Sequence, residues 1–285
     1  MNLKQAIKNT LPASIFHLLR DIPSRIKGLT ETKPTGQGPI PPLHLMFDGP
    51  RSYDLFLKIG KETLEFYKTS VGLKPTDSML DIGCGIGRKT IPLLDYLGSE
   101  ALYVGMDLDR RGIDWLLRNV TSRNERFVFL QMDIFNKFYN PKGALIPGRL
   151  VLPFPDASFD VVALWSVFTH MFPDDIKHYL TEIHRVLKPG GRVVASYFLF
   201  NDEILALMQA SKTTINFAYD LTNCRTTNPN MPEDALAMNE DWMKAVHEGL
   251  GFKSLSVQHG SWSGHTPKVG ADTINQQDIV IAGKA

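Results

Sequence analysis

Residues 79–87 read Met79-Leu80-Asp81-Ile82-Gly83-Cys84-Gly85-Ile86-Gly87. A short apolar run carries an acid and is followed by three glycines at alternate positions. A strand that ends in such a loop and opens into a helix is a nucleotide-binding turn. Glycine allows φ > 0 and lets a ligand approach the main chain closely. The helix expected over residues 88–97 points its N-terminal amides at the ligand. A dinucleotide fingerprint has the spacing G-x-G-x-x-G, with room for a pyrophosphate. Here the spacing is G-x-G-x-G, an acid stands two residues before the first glycine, and Arg88 follows the third. At this point a dinucleotide site and a ligand-free glycine turn remain open alternatives.

The bulk composition narrows the class. In 285 residues, 43% are hydrophobic and 21% charged, which is ordinary for a soluble globular protein. A net charge of +1 makes no global case for nucleic acid or an anionic membrane. Two cysteines, Cys84 and Cys224, build neither a disulfide framework nor a zinc site. No apolar run reaches the ~18 residues of a membrane span, and the N-terminus lacks a signal-peptide core. A cytoplasmic location is expected.

Residues 1–45 stand apart from the rest. Leu3, Ile7, Leu11, Ile15, Leu18 and Leu19 fall near helical spacing, interrupted by Pro12. Lys4, Lys8, Arg20, Arg25, Lys27 and Lys33 outnumber Asp21 and Glu31. Such a basic amphipathic arm is compatible with peripheral membrane contact or with packing on the domain or on a second subunit; the oligomeric state stays open. Residues 32–43 form a Pro/Gly-rich linker. The main domain is expected over residues 46–285.

Within it, a helix with Leu55, Ile59, Leu64 and Phe66 precedes the first strand. A second strand over residues 102–106 ends in Asp107. A carboxylate at this strand end can accept both ribose hydroxyls of a nucleoside. Asp109 reads as the cap of the next helix. A third strand, 127–132, ends before Asp133, and residues 135–153 form a long connection of the kind that is often functional. A fourth strand, 159–165, places Ser166 and His170 at its C-terminal end, where open α/β sheets bind ligands. An amphipathic helix over 174–187 closes on Lys188-Pro189-Gly190-Gly191 and a fifth strand, 192–200. Residues 201–238 read as an insertion of mixed helix and loop, and residues 239–251 as a helix. Strands are expected at 252–258 and 277–282.

The order D-I-G-C-G-I-G, then P-F-P-D-A-S-F-D-V-V, then E-I-H-R-V-L-K-P-G-G resembles the class I S-adenosylmethionine (SAM) methyltransferases, small-molecule (methyltransferase type 11-like) branch. The resemblance implies a Rossmann-like, doubly wound, seven-stranded α/β sheet whose last strand is antiparallel. It implies SAM as cofactor, contacted around Asp81, Gly83, Cys84, Gly85, Gly87 and Arg88. Asp107 would face the ribose, and Leu108, Met132, Asp133, Ile134 and Ser166 would complete the cofactor contacts. Asp133 would accept from the adenine amino group. The acceptor would be a small molecule, such as a saccharide or lipid-linked compound, with no nucleic-acid partner. A catalytically silent SAM-binding regulator is the alternative.

Methyl transfer from a sulfonium is an in-line displacement in which positioning supplies much of the rate. An oxygen nucleophile also benefits from a base that titrates near neutrality. His170 is the candidate by position, with His259 and His265 behind it. Tyr197 either lines the pocket or packs, and His184 reads as structural. No His/Cys/acid spacing suggests a metal. Acceptor specificity is expected in 201–238 acting as a lid, with 259–276 and 135–153.

Overall fold

The computed structural model describes residues 22–28, 30–36, 38–265 and 276–285. Most of the amphipathic arm and the centre of segment 259–276 lie outside the described residues. Residues 22–28 are helical. Ser52 caps α1 (Tyr53–Phe66) by accepting from the Leu55 amide. The chain then enters β1 (Met79–Ile82), buried at all four positions.

Parallel strands follow: β2 (Tyr103–Asp107), β3 (Phe127–Gln131) and β4 (Phe159–Leu164). Helix α2 (Arg110–Leu116) follows β2, and α3 (Pro173–Val186) follows β4. Strand β5 (Leu187–Tyr197) begins five residues earlier than its pattern suggests, because Leu187 already pairs with Phe159 of β4, ahead of a register shift that skips 188–191. The seventh strand, β11 (Asp278–Lys284), slots between β5 and β10 (Phe252–Gln258), antiparallel to both. The resulting order is β10-β11-β5-β4-β1-β2-β3. The strand order steps one way from β1 to β3 and the other way from β4 to β5, so a crevice opens at the C-terminal ends of β1 and β4.

Both sheet faces are covered. One core gathers Leu80, Val162, Leu164, Ile176, Leu180 and Ile183 beneath α3. The other gathers Phe56, Phe66, Met79, Val161, Ile113 and Leu116 beneath α1 and α2. Burial on both faces explains why these strands read as continuous apolar runs rather than alternations.

Three expectations need correction. The stretch after the glycine loop is not an α-helix over 88–97: it forms turns and a 3-10 turn, Ile91–Leu94. Pro92 at its second position has no N–H to donate to the Arg88 carbonyl, so the α ladder cannot propagate. Segment 135–153 is not structureless. Bridges Ile134↔Leu145 and Asn136↔Asn140 fold it back on itself, and Pro147–Arg149 is a 3-10 turn.

The insertion 201–238 is more than helix and loop. After α4 (Asp202–Gln209) it forms β7 (Tyr219–Leu221), β8 (Cys224–Thr226) and β9 (Leu236–Asn239). With β6 (Leu199–Phe200) these make a second sheet of order β6-β9-β8-β7. Strands of two to four residues carry too little alternation to be read from a pattern. Asn223 at φ 58 turns the β7–β8 hairpin. Helix α5 (Glu240–Gly249), capped by Asn239, returns the chain to β10.

Candidate active site

Glycine geometry defines the crevice floor. Gly83, Gly85 and Gly87 have φ of 82°, 58° and 83°, a region that side chains rarely adopt. Their missing side chains make room for neighbours. A Cβ on Gly83 would fall 2.4 Å from Val167 Cγ2, on Gly85 2.2 Å from an Asp48 carboxylate oxygen, and on Gly87 2.6 Å from Leu116 Cδ2. The turn is thus clamped by the segment after β4, by the segment before α1, and by α2.

Three carboxylates surround this turn. Asp81 on β1 is buried, and its Oδ2 accepts from the Tyr103 hydroxyl at 2.7 Å. Its Oδ1 has no hydrogen-bond partner. Burial pushes its carboxyl up to about 6, against the Tyr103 bond and the Lys89 charge. Asp107, at the end of β2, accepts from the Gly85 amide at 2.8 Å and the Asp109 amide at 2.8 Å. Burial raises it to about 7, the two amide bonds opposing. The third is Asp48, which the sequence pattern did not single out. Its Oδ1 accepts from Arg88 Nη2 at 2.9 Å, and the Ile86 amide lies 3.5 Å from its Oδ2.

Arg88 is not directed at the crevice opening. Its buried guanidinium pairs with Asp48, donates to the Pro50 carbonyl at 3.4 Å and stacks over Phe56. The Cys84 thiol is likewise turned inward, since a Cβ on Gly105 would meet its Sγ at 2.9 Å. Burial raises this thiol well above its ordinary value, so it stays protonated and inert.

On the far side of the crevice, Leu108 and Met132 are half-buried and Ile134 is buried against the α3-side core. Asp133 is exposed, and its carboxylate already accepts from Asn140 Nδ2 at 3.0 Å and the Ala144 amide at 3.3 Å. It therefore anchors the folded loop 135–146. Ser166, at φ 57, donates to Gln277 Oε1 at 3.0 Å while its amide donates to Ser196 Oγ. It ties the end of β4 to the start of β11. Asp109 caps α2 through the Arg111 and Gly112 amides.

His170 lies in the 3-10 turn Phe168–His170 beyond β4. Its Nδ1 is 2.8 Å from the Glu233 carbonyl, and its Nε2 is 3.2 Å from the Tyr139 hydroxyl. Asn136 donates to its carbonyl at 3.1 Å. Burial lowers the imidazole below its ordinary value, so it is neutral at pH 7. Tyr139 is 56% exposed as a residue, yet loss of solvent at its hydroxyl raises it to about 12, with the charges of Asp234 and Asp107 adding to the shift.

The other histidines sit elsewhere. His259 stacks on His265 at 5.2 Å between ring centroids, and its imidazole is raised by Asp278. His265 meets Ser263 Oγ at 2.9 Å. His184 packs edge-on against Phe252. Tyr197 is buried against Phe168 and His247. Among the described residues no group of His, Cys, Asp and Glu is arranged to hold a metal ion. No helix among them is long and apolar enough to cross a membrane.

A parallel sheet in this order, with a glycine turn at β1 and an acid ending β2, defines the class I SAM-dependent methyltransferase fold. Residues 80–195 match the family described as a methyltransferase domain. It is 31% identical to the human tRNA N(3)-cytidine methyltransferase METTL6 over 49% of this chain and 45% of that protein. It is also 31% identical to demethylmenaquinone methyltransferase of Lactobacillus johnsonii, over 45% of this chain and 46% of that protein. The chain thus spans about half the length of the curated relatives it matches. Among solved structures, PH0226 from Pyrococcus horikoshii OT3 superposes with a TM-score of 0.51 at 18% identity, covering 79% of this chain and 89% of that one.

The cradle fits the cofactor of that class. Asp81 offers a buried unpartnered oxygen, Asp107 ends β2 with its carboxylate on the Gly85 amide of the glycine turn, and such acids favour a cationic ligand.

Proposed function

We propose that this chain is a SAM-dependent methyltransferase acting on a hydroxyl-bearing small molecule, of the saccharide or lipid-linked kind. The observation that carries the reading is the His170 site. Three segments outside the core motifs meet there: the loop with Tyr139, the turn after β4, and the insertion with Glu233. The acceptor would lie beside them, above the crevice.

When bound, SAM supplies an activated methyl carbon. The residues of the chain hold and orient. Asp107 would take the ribose, Asp81 would face the cationic end, and His170 would accept the acceptor's proton at Nε2. Loss of that proton as the C–O bond forms keeps the transferred product neutral. Lys137 donates to the Asn230 carbonyl at 3.1 Å, which joins loop and insertion into one wall over the site. Such a wall excludes water and aligns an acceptor, where binding energy helps transfer.

Relatives of this domain named for tRNA and for demethylmenaquinone leave the acceptor class to be argued from this chain. A net charge of +1 supplies no general attraction to a phosphate backbone. A silent SAM binder would have no use for a neutral, oriented histidine beside the crevice.

Calorimetry with SAM, followed by transfer of tritiated methyl from SAM into fractionated small-molecule extracts and into bulk RNA, tests this. Label in a small hydroxylated compound supports it. Label only in RNA, or SAM binding without transfer to any fraction, overturns it.

A further inference from the structure

We propose that Asp48 is a cofactor-binding residue: its carboxylate, carried over the glycine turn by strap 40–51, receives the ammonium end of SAM. The inference rests on the SAM reading above and adds a residue, and a closing segment, that the methyltransferase motifs do not contain.

The strap is built to stay in place. Ile40, Leu43 and Met46 are buried in the α1-side core. Leu43–Leu45 is a 3-10 turn. A Cβ on Gly112 would lie 3.2 Å from Phe47 Cε1, so the strap also rests on α2. Asp48 follows directly, and its Oδ2 occupies the space that Gly85 leaves open. The carboxylate keeps a side-chain exposure of 22%, while that of Arg88 beneath it is 3%. One oxygen is spent on Arg88; the other faces the turn at the long distance of 3.5 Å from the Ile86 amide.

Its charge is felt throughout the crevice. Asp48 raises the carboxyls of Asp81 and Asp107 and the Cys84 thiol, and it acts on Lys89 in the opposite sense to burial. Arg88 and Lys89 offset part of the charge of these three acids, and a further cation among them removes more of their mutual repulsion. Asp81 Oδ1 is the independent sign of where the cation goes: it is buried and lacks any partner. Buried carboxylate oxygens are rarely left so. The ammonium of an amino-acid moiety is a cation of matching size with three donors. Asp48 and Asp81 would then share it.

The test measures binding, not turnover. Native protein and Asp48→Asn are titrated calorimetrically with SAM, with S-adenosylhomocysteine, and with 5′-methylthioadenosine, which lacks the amino-acid end. Asparagine keeps an oxygen for Arg88 and removes the charge. The expected result is a loss of about 10- to 100-fold for SAM and S-adenosylhomocysteine, with 5′-methylthioadenosine changed less than about twofold. Asp48→Ser is a second neutral variant with the same expected split, and thermal denaturation reports that each is folded. Equal weakening of all three ligands means that Asp48 only orders the strap, and overturns the assignment. Tighter binding in the variant means that the carboxylate plugs the site, and overturns it too. Failure of the native chain to bind any of the three refutes the SAM reading itself, and the assignment with it.

Discussion

The Tyr139 hydroxyl donates to His170 Nε2 across 3.2 Å while His170 Nδ1 sits 2.8 Å from the Glu233 carbonyl. A carbonyl can only accept, so Nδ1 carries the ring proton and Nε2 keeps its lone pair. A base with a fixed tautomer and a covered lone pair can reach an acceptor through Tyr139 or in its place. Replacing His170 by Gln is expected to lower methyl transfer by about 10²- to 10⁴-fold, the usual contribution of a positioned base. SAM affinity should stay within about twofold, since His170 touches none of the cofactor acids. The native rate should rise with pH through a value below the ordinary ~6.5 of histidine and be level at pH 7–8. Steady-state kinetics over that range, together with calorimetry, check both halves. An unaltered rate in the variant removes His170 from the mechanism.

A second expectation concerns pH and the cofactor-free protein. Burial raises Asp81 to about 6 and Asp107 to about 7. The folded chain therefore holds these protons more tightly than the unfolded chain. By linkage, their stabilisation is fully present below the unfolded value near ~4 and is lost as pH rises to about 7. Native protein should lose stability over this window relative to Asp107→Asn, which has no proton to release there. The difference is on the order of a few kcal/mol at most, at ~1.4 kcal/mol per unit. Cofactor binding runs the other way, because the ribose hydroxyls need the carboxylate; SAM should bind more tightly as pH rises through about 7. Urea melts and calorimetry at matched pH values provide the comparison. A flat difference between native protein and variant would contradict the burial of Asp107.

Helix α1 supplies a third test. Glycine in a helix interior ordinarily costs ~1 kcal/mol relative to alanine, so Gly60→Ala should stabilise if only propensity mattered. In place, an added Cβ would lie 2.6 Å from the Arg88 carbonyl and 2.9 Å from Pro92 Cγ. One of those atoms is backbone and the other a ring, so neither yields readily. Overpacking of this kind costs about 1–3 kcal/mol and outweighs the propensity gain. Thermal denaturation should show Gly60→Ala less stable than native, and its SAM affinity should also fall because Arg88 holds Asp48. A stabilised variant would mean that α1 does not approach the turn so closely.

The sheet was legible because a parallel strand buried on both faces must be apolar throughout, and a glycine turn at β1 admits few ligands. Ser52, Asp109 and Asn239 cap their helices through local bonds that a short stretch of sequence carries. Long-range pairings were not legible. Asp48 lies 40 residues from Arg88, and Tyr139 lies 31 from His170; no periodicity links them. Within the long connection 135–153, nothing local says that Asn140 would occupy Asp133. The small sheet of the insertion was hidden for a different reason. Its strand β7 is exposed at all three positions, so no apolar pattern marks it.

That insertion also carries the last expectation. Phe217 is fully buried, with ring centroids 5.2 Å from Phe198 and 5.3 Å from Trp262. Trp262 in turn donates its indole N–H to Asp278 at 2.7 Å. Asp278 is fully buried and also accepts from the Leu199 amide at 2.6 Å and the Gly260 amide at 2.7 Å. The insertion is therefore fastened to the main sheet at β11, and a Gly/Ser connector in place of 201–238 would empty this cluster rather than lift off a lid. Single substitutions separate the contributions. Trp262→Phe keeps an aromatic ring but strips one donor from a buried carboxylate, at a cost of about 1–3 kcal/mol. Phe217→Ala opens a cavity, at about 3–5 kcal/mol. The rings touch, so the double variant should fall short of the sum. In urea the midpoint should fall at unchanged slope if the insertion unfolds with the domain. Because the acids proposed for the cofactor lie on β1, β2 and strap 40–51, SAM affinity should survive both changes within a few-fold. Acceptor turnover should drop as Glu233 loses its hold on His170. Loss of SAM binding in parallel with turnover would show that the insertion supports the cofactor crevice instead of the acceptor side.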